Sequence, residues 1–97
     1  MLFQLGQVVL TCGIAARMGA DSSFARGVQS SLRRHATGDW GDVGEESRRM
    51  NDDALEAKKN GEWSDRLFSL YDIEGTEIFI ITEADRSVTT ILLPEEY

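Results

Sequence analysis

The fold class is decided by residues 66–93, with the sequence RLFSLYDIEGTEIFIITEADRSVTTILL. Aromatic and β-branched residues, which favour extended backbone, fall here into three runs separated by polar segments around Gly75 and Asp85. The runs are Arg66–Ile73, Glu77–Thr82 and Ser87–Leu93. The pattern predicts a three-stranded antiparallel meander. Because the middle run has apolar residues at both alternating sets of positions, we expect helices or a partner to cover it on both sides.

The residues before the meander predict one strand and two helices. Met1–Leu10 is typical of a first strand and lacks the positive leader of a secretion signal. Thr11 is placed to cap a short helix that Gly19 ends. Asp21 stands at the N-cap of a longer helix, whose apolar stripe has three- and four-residue spacing. The stripe consists of Phe24, Val28, Leu32 and His35.

A tight loop and a polar helix complete the predicted elements. In residues 38–42, two glycines flank Trp40, which predicts a loop held by one buried ring. Asp42 and Glu45 have the spacing of an N-cap and its third-position carboxylate, and they open a helix that ends at Asn60-Gly61. We therefore expect residues 1–97 to form a single α+β domain. It would combine two or three helices with an antiparallel sheet of about four strands, the N-terminal strand plus the meander.

Composition limits the classes of function. The 97 residues include 17 acidic and 10 basic residues, a net charge of −7, which argues against direct nucleic-acid binding and favours a basic partner. The single cysteine, Cys12, and the single histidine, His35, make neither an internal disulfide nor a structural zinc site. We expect no cofactor, no metal and no membrane association, and we expect a monomer in a reducing cytosol.

The charge is segregated along the chain. Residues 1–38 carry a net charge of +3, and residues 39–97 carry −10. Carboxylates two residues apart on a strand stand roughly 6.6 Å apart, close to the spacing of neighbouring phosphates. An acidic sheet edge can therefore occupy a channel that otherwise holds nucleic acid. The alternative is a merely solubilising surface. The candidate partner-binding residues are Asp52, Asp53, Glu56, Asp72, Glu74, Glu77, Glu83, Asp85, Glu95 and Glu96.

Catalytic and metal-binding interpretations have less support in the sequence than the acidic binding surface. His35 belongs to an apolar helix stripe, which indicates a packed or capping imidazole, and Cys12 lies among small apolar residues, as a buried inert thiol does. The carboxylates Asp39, Asp42, Glu45 and Glu46 match no calcium-loop spacing. We expect Arg86 to form a surface ion pair beside Glu83 and Asp85. Those two carboxylates lack the cleft and aromatic platforms of a glycosidase, so the sequence indicates a protein that is not an enzyme.

Several motifs together resemble a family of small bacterial proteins carried on plasmids, prophages and integrating elements. The likeness spans nearly the whole chain, although residues 52–63 depart from the family's Glu- and Lys-rich helix. The matching motifs are Leu5-Gly-Gln-Val-Val9, Arg34-His35, Gly38-Asp-Trp-Gly-Asp42, Asn51, Ser69-x-Tyr71 and Ile80–Tyr97.

The resemblance implies a role in the survival of a mobile element. Such elements carry small acidic proteins that block host defence by stoichiometric binding. The resemblance thus implies an anti-CRISPR inhibitor of a type I surveillance complex, subtype I-C being one candidate, whose acidic face blocks the basic path for target DNA. Trp63, Phe79 and Tyr97, where exposed, would serve as anchors. The alternative is an anti-restriction protein or another non-enzymatic regulatory module of the element.

Overall fold

The computed structural model describes residues 1–97 and confirms the α+β class. Its four strands form one sheet, in the spatial order β1-β4-β3-β2. The strands are β1 (Gln7–Leu10), β2 (Leu67–Ile73), β3 (Thr76–Thr82) and β4 (Val88–Leu92). The helices are α1 (Cys12–Ala20), α2 (Ser22–Ala36) and α3 (Glu45–Lys59), and a 3₁₀ turn at Pro94–Glu96 precedes the C-terminus.

The sheet is mixed rather than purely antiparallel. The meander prediction is confirmed, since β2 pairs with β3, and β3 with β4, in antiparallel fashion. The first strand differs from expectation, because β1 runs parallel to β4, with Gln7 opposite Val88 and Leu10 opposite Ile91. Gly6 permits this approach. Its φ is +64°, and a Cβ there would lie 2.2 Å from the Ser87 carbonyl oxygen.

One residue joins the first two helices. Asp21 donates its N–H to the Arg17 carbonyl at the end of α1, and its carboxylate accepts hydrogen bonds from the N–H groups of Ser23 and Phe24 at the start of α2. The predicted N-cap is therefore confirmed. The first helix continues one residue past Gly19, and Thr11 does not cap it through its side chain.

The main core lies between α1, α2 and one face of the sheet, which we call the inner face. The apolar stripe of α2 buries Phe24 and Val28, each 2% exposed, against strand residues that include Ile78 and Ile80, both fully buried. Each such side chain contributes about 2 kcal/mol through burial. This packing fixes α1 and α2 on the inner face.

A smaller apolar cluster packs at the β2 side of the sheet and consists of Trp40, Val43, Ala54 and Leu67. Trp40 is 1% exposed, and its indole N–H donates to the Asp52 carboxylate at 3.0 Å, which confirms the predicted buried ring. The predicted cap at Asp42 is wrong, because Gly44 occupies the N-cap position of α3. The N–H of Asp42 instead donates to the Leu70 carbonyl at 2.7 Å, so this loop is bonded to the β2 edge.

The opposite face of the sheet, which we call the open face, is only partly covered. Its side chains alternate with the inner set, and Phe68, Leu70 and Phe79 remain half-buried. Helices therefore cover one side of the middle strand, not both, although Ile81 on the open side is only 5% exposed. None of the helices, of which the longest have 15 residues, is long and apolar enough to cross a membrane.

Candidate functional site

The centre of the open face is apolar and aromatic. The ring centroids of Phe68 and Phe79 lie 4.9 Å apart, and those of Phe79 and Tyr97 lie 5.9 Å apart. Tyr97 is 67% exposed, and its hydroxyl accepts a hydrogen bond from Arg66. Aromatic groups of this kind are common anchors in protein interfaces because they bury a large area at low entropic cost.

Exposed carboxylates lie at both ends of this apolar centre. Asp72 on β2 and Glu77 on β3 are directly opposite each other in the antiparallel register. Glu83 follows the other end of β3, roughly 20 Å from Glu77 at the rise of an extended strand. The open face therefore has an apolar middle and acidic ends.

The remaining acidic candidates near the β2–β3 turn differ in their bonding. Glu74 accepts a hydrogen bond from the Ser23 hydroxyl. Glu95 is exposed and lines a shallow depression with Glu77. Glu96 accepts from the Thr11 hydroxyl, at 2.5 Å, and from the Gly13 N–H, at 2.9 Å. These bonds lower the pKa of Glu96, and they place its carboxylate in the first turn of α1.

The other acidic candidates lie on α3 and the β3–β4 turn. Asp53 and Glu56 are exposed, and Asp52 is the partner of the Trp40 indole. Asp85 accepts from the N–H and the hydroxyl of Ser87, which lowers its pKa. Asp52, Glu56 and Asp85 line a cleft of about 920 Å³ together with Lys58, Lys59 and Arg86. The ten candidate carboxylates thus occupy opposite ends of the molecule rather than one continuous patch.

Arg86 is buried, contrary to the expected surface ion pair. It is 6% exposed, with a φ of +61°, and its guanidinium donates to the carbonyl oxygens of Asp65, Glu83 and Ala84 and to the Ser64 hydroxyl. Burial lowers its pKa. Because carbonyl oxygens replace carboxylates as its partners, Arg86 fastens the β3–β4 turn to the segment after α3.

His35 is enclosed and takes part in a buried polar chain. Its Nδ1 lies 2.5 Å from the Ser69 hydroxyl and its Nε2 lies 2.9 Å from the Thr82 hydroxyl. The Thr82 hydroxyl lies 2.7 Å from that of Thr89, which donates to the Leu5 carbonyl. Each hydroxyl has one proton, so Thr82 donates to Thr89 and accepts from Nε2–H, and Nδ1 accepts from Ser69.

The enclosure of His35 gives it a structural role. The side chain is fully buried, and the rings of Phe3 and Trp40 pack edge-on against it. Burial, with a smaller effect from the charge of Arg86, lowers its pKa to about 4. The predicted packed imidazole is confirmed, because the ring is fully buried and both of its nitrogens lie within hydrogen-bond distance of hydroxyl groups.

The other candidate chemical groups are placed apart. Cys12 is exposed at the start of α1, which corrects the expected buried thiol. Asp39 forms an ion pair with Arg34 at 2.8 Å, and this bond lowers the pKa of Asp39. No three His, Cys, Asp or Glu side chains converge where they would hold a metal ion.

Two of the three anchors predicted from the sequence lie on the open face. Phe79 and Tyr97 were expected anchors and lie on the open face, whereas Trp63, 80% exposed, lies beside Met50 in a depression next to α3. Phe68 was missed, although its alternation with the buried residues Leu67 and Ser69 is the signal that places it on the open face.

Comparison with protein-family models, with curated proteins and with solved structures finds no match for this chain.

Proposed function

We propose that this chain is a non-enzymatic inhibitor that binds another protein stoichiometrically through the open face. Its target is the basic DNA-binding surface of a bacterial defence complex, with a type I CRISPR surveillance complex of subtype I-C as the candidate to test. The carboxylates at the ends of the face occupy positions that DNA phosphates would otherwise take. The observation that carries the proposal is an apolar sheet face that the chain's own helices leave partly uncovered.

The apolar centre supports protein docking. Phe68, Phe79 and Tyr97 form a continuous aromatic surface. An interface needs such a desolvated centre for affinity, because charges at its rim contribute mainly to association rate and orientation. A surface made only of carboxylates would lack this source of affinity.

The acidic ends support a basic partner. Like charges directly opposite each other on neighbouring strands destabilise a sheet, and Asp72 and Glu77 form such a pair. A Lys or Arg from a partner would relieve that repulsion. The resemblance of the sequence to proteins of mobile elements favours a host defence complex as the source of the basic surface.

The test is target-DNA binding by a purified type I-C surveillance complex, titrated with this protein at two salt concentrations. We expect saturating loss of DNA binding near one equivalent, and weaker inhibition at higher salt. Unchanged DNA binding at a large excess of the protein would refute this target, and an effect far below one equivalent would refute stoichiometric binding.

Two charge-reversal variants of equal net charge locate the contact. Glu77→Lys with Glu83→Lys changes the open face, and Asp53→Lys with Glu56→Lys changes α3, where both carboxylates are exposed. We expect the first variant to lose inhibition and the second to retain it. The reverse result would refute docking through the open face. Both variants should keep their thermal stability nearly unchanged, because exposed carboxylates contribute little to folding.

A further inference from the structure

The outer edge of β1 carries backbone groups that no strand of the chain pairs. The Gln7 N–H donates to the Ser87 carbonyl at 2.9 Å, and the Thr11 N–H donates to the Ile91 carbonyl at 3.1 Å. Residues alternate along a strand, so the odd-numbered residues direct their backbone groups toward β4. Val8 and Leu10 therefore direct their N–H and C=O groups away from the sheet, where β1 is the last strand.

The side chains of this edge are apolar and exposed. Val8, Val9 and Leu10 are 40%, 38% and 39% exposed, and no charged side chain precedes Arg17 in the sequence. Edge strands of monomeric proteins are normally protected by a charged residue, a proline or a bulge. β1 is short, with four residues, but it carries no charged residue, no proline and no bulge that would prevent pairing with another strand.

We infer that β1 pairs with β1 of a second copy of this chain, antiparallel, around a twofold axis at Val9. In this register Val8 of each copy lies opposite Leu10 of the other, and each such pair exchanges two backbone hydrogen bonds. Four hydrogen bonds form in total. The two Val9 residues meet at the axis, so the same surface serves both copies, as twofold symmetry requires.

The charge distribution allows a second copy to approach β1. Each chain has a net charge of −7, and all of its carboxylates lie at or beyond Asp21. Two copies therefore meet through the segment that carries no charge. A basic partner, in contrast, is drawn to the carboxylates at the ends of the open face. The dimer departs from the expected monomer.

The pairing extends the sheet to eight strands. Residues directly opposite in an antiparallel pair share a face, so the two open faces lie on the same side of this extended sheet. The inference depends on the geometry of β1 alone and stands whether or not the open face binds a defence complex.

Cross-linking at the axis tests the register. In an antiparallel pair without mutual hydrogen bonds, the Cα atoms lie about 4.5 Å apart, within the range of a disulfide. We would compare Val9→Cys with Met50→Cys, which is 53% exposed on α3, both in a Cys12→Ser background. Under mild oxidation we expect Val9→Cys to form covalent dimer at least ten times faster than Met50→Cys. Equal rates would refute the pairing.

Sedimentation equilibrium tests the same interface without a cross-link. We expect the natural sequence to show a concentration-dependent dimer and the Val8→Pro variant to remain monomeric. Proline at this position removes only an outward N–H, so the β4 pairing is retained. Val8→Lys serves the same purpose should Val8→Pro fail to fold by circular dichroism. A natural protein that is monomeric up to millimolar concentration, or a folded variant that still dimerises, would overturn the inference.

Discussion

The β2 edge of the sheet is closed by other parts of the chain, whereas the β1 edge is bare. At β2, Gly41 forms a bridge with Leu70, and the Asn51 side chain donates to the Phe68 carbonyl at 2.7 Å and accepts from the Phe68 N–H at 3.1 Å. At β1, Val8 and Leu10 have no such partners. The β2 edge is therefore bonded within one chain, and the β1 edge keeps backbone groups that are free to pair with another strand.

Gly41→Ala should cause the largest loss in the free energy of unfolding, because it disrupts the contact between the Trp40 loop and β2. The φ of Gly41 is +76°, and a Cβ there would lie 2.0 Å from the Leu70 carbonyl oxygen. We expect backbone strain and the clash to lower the free energy of unfolding by about 4 kcal/mol, measured by urea denaturation.

Gly61→Ala is the matched control for Gly41→Ala. Gly61 also has a φ of +76°, but no atom lies within 4 Å of the position that a Cβ would take there. Gly61→Ala should therefore lower the free energy of unfolding only by the cost of the left-handed backbone, about 1 kcal/mol. Equal losses of free energy of unfolding in the two variants would mean that the close approach of Gly41 to β2 does not contribute to stability.

Lowering the pH should reduce the free energy of unfolding through His35, which lies against Ser69 on β2 and Thr82 on β3. The pKa of this imidazole is lowered from 6.5 to about 4, mainly by burial. Between these values the unfolded chain binds a proton that the folded chain does not, so stability falls as the pH decreases through this window. The full loss is about 3 kcal/mol, of which about 2 kcal/mol falls between pH 6.5 and 5.

Urea denaturation from pH 7 to pH 5 measures this effect, because most carboxylates titrate at lower pH. His35→Gln provides the control, since an amide does not titrate. The variant should lose the pH dependence whatever its stability at pH 7. A slope that persists in His35→Gln would assign the effect to other groups.

Asn51→Ala should have a smaller effect on the same edge. The substitution removes the amide that satisfies both backbone groups of Phe68. We expect a loss of about 2 kcal/mol in the free energy of unfolding. The neighbouring change Met50→Ala, at an exposed position of the same helix, should stay within about 0.5 kcal/mol. Similar losses at both positions would attribute the effect to α3 itself rather than to the edge.

The elements of this fold follow from local patterns in the sequence. The stripe from Phe24 to His35 and the cap at Asp21 place α2, and the three β-branched runs place β2, β3 and β4. The parallel direction of β1 was not predictable, because the two-residue period of a strand is the same in parallel and antiparallel pairs. The Asp42 cap failed because the backbone of that residue bonds β2 instead.

The candidate site was less predictable than the elements. Carboxylates are easily recognised as exposed, but their neighbours depend on how the chain folds. Glu96 lies beside Thr11 although 85 positions separate them in the sequence, and Arg86 is buried because carbonyl groups of a distant segment surround it. Long-range contacts of this kind leave no period or spacing in the sequence.

Val8→Lys should have the smallest effect on the folding of the isolated chain, because the β1 edge has no intramolecular role for this side chain. Val8 is 40% exposed, and its outward N–H and C=O groups have no partner within the chain that the substitution would remove. We expect the free energy of unfolding to change by about 0.5 kcal/mol or less, measured at a protein concentration low enough to keep the chain monomeric. A loss as large as that of Asn51→Ala would mean that the bare edge stabilises the monomer as the closed edge does. A small loss of free energy of unfolding together with failure to dimerise would show that the two edges have different roles. The β2 edge would stabilise the single chain, and the β1 edge would serve only the contact between chains.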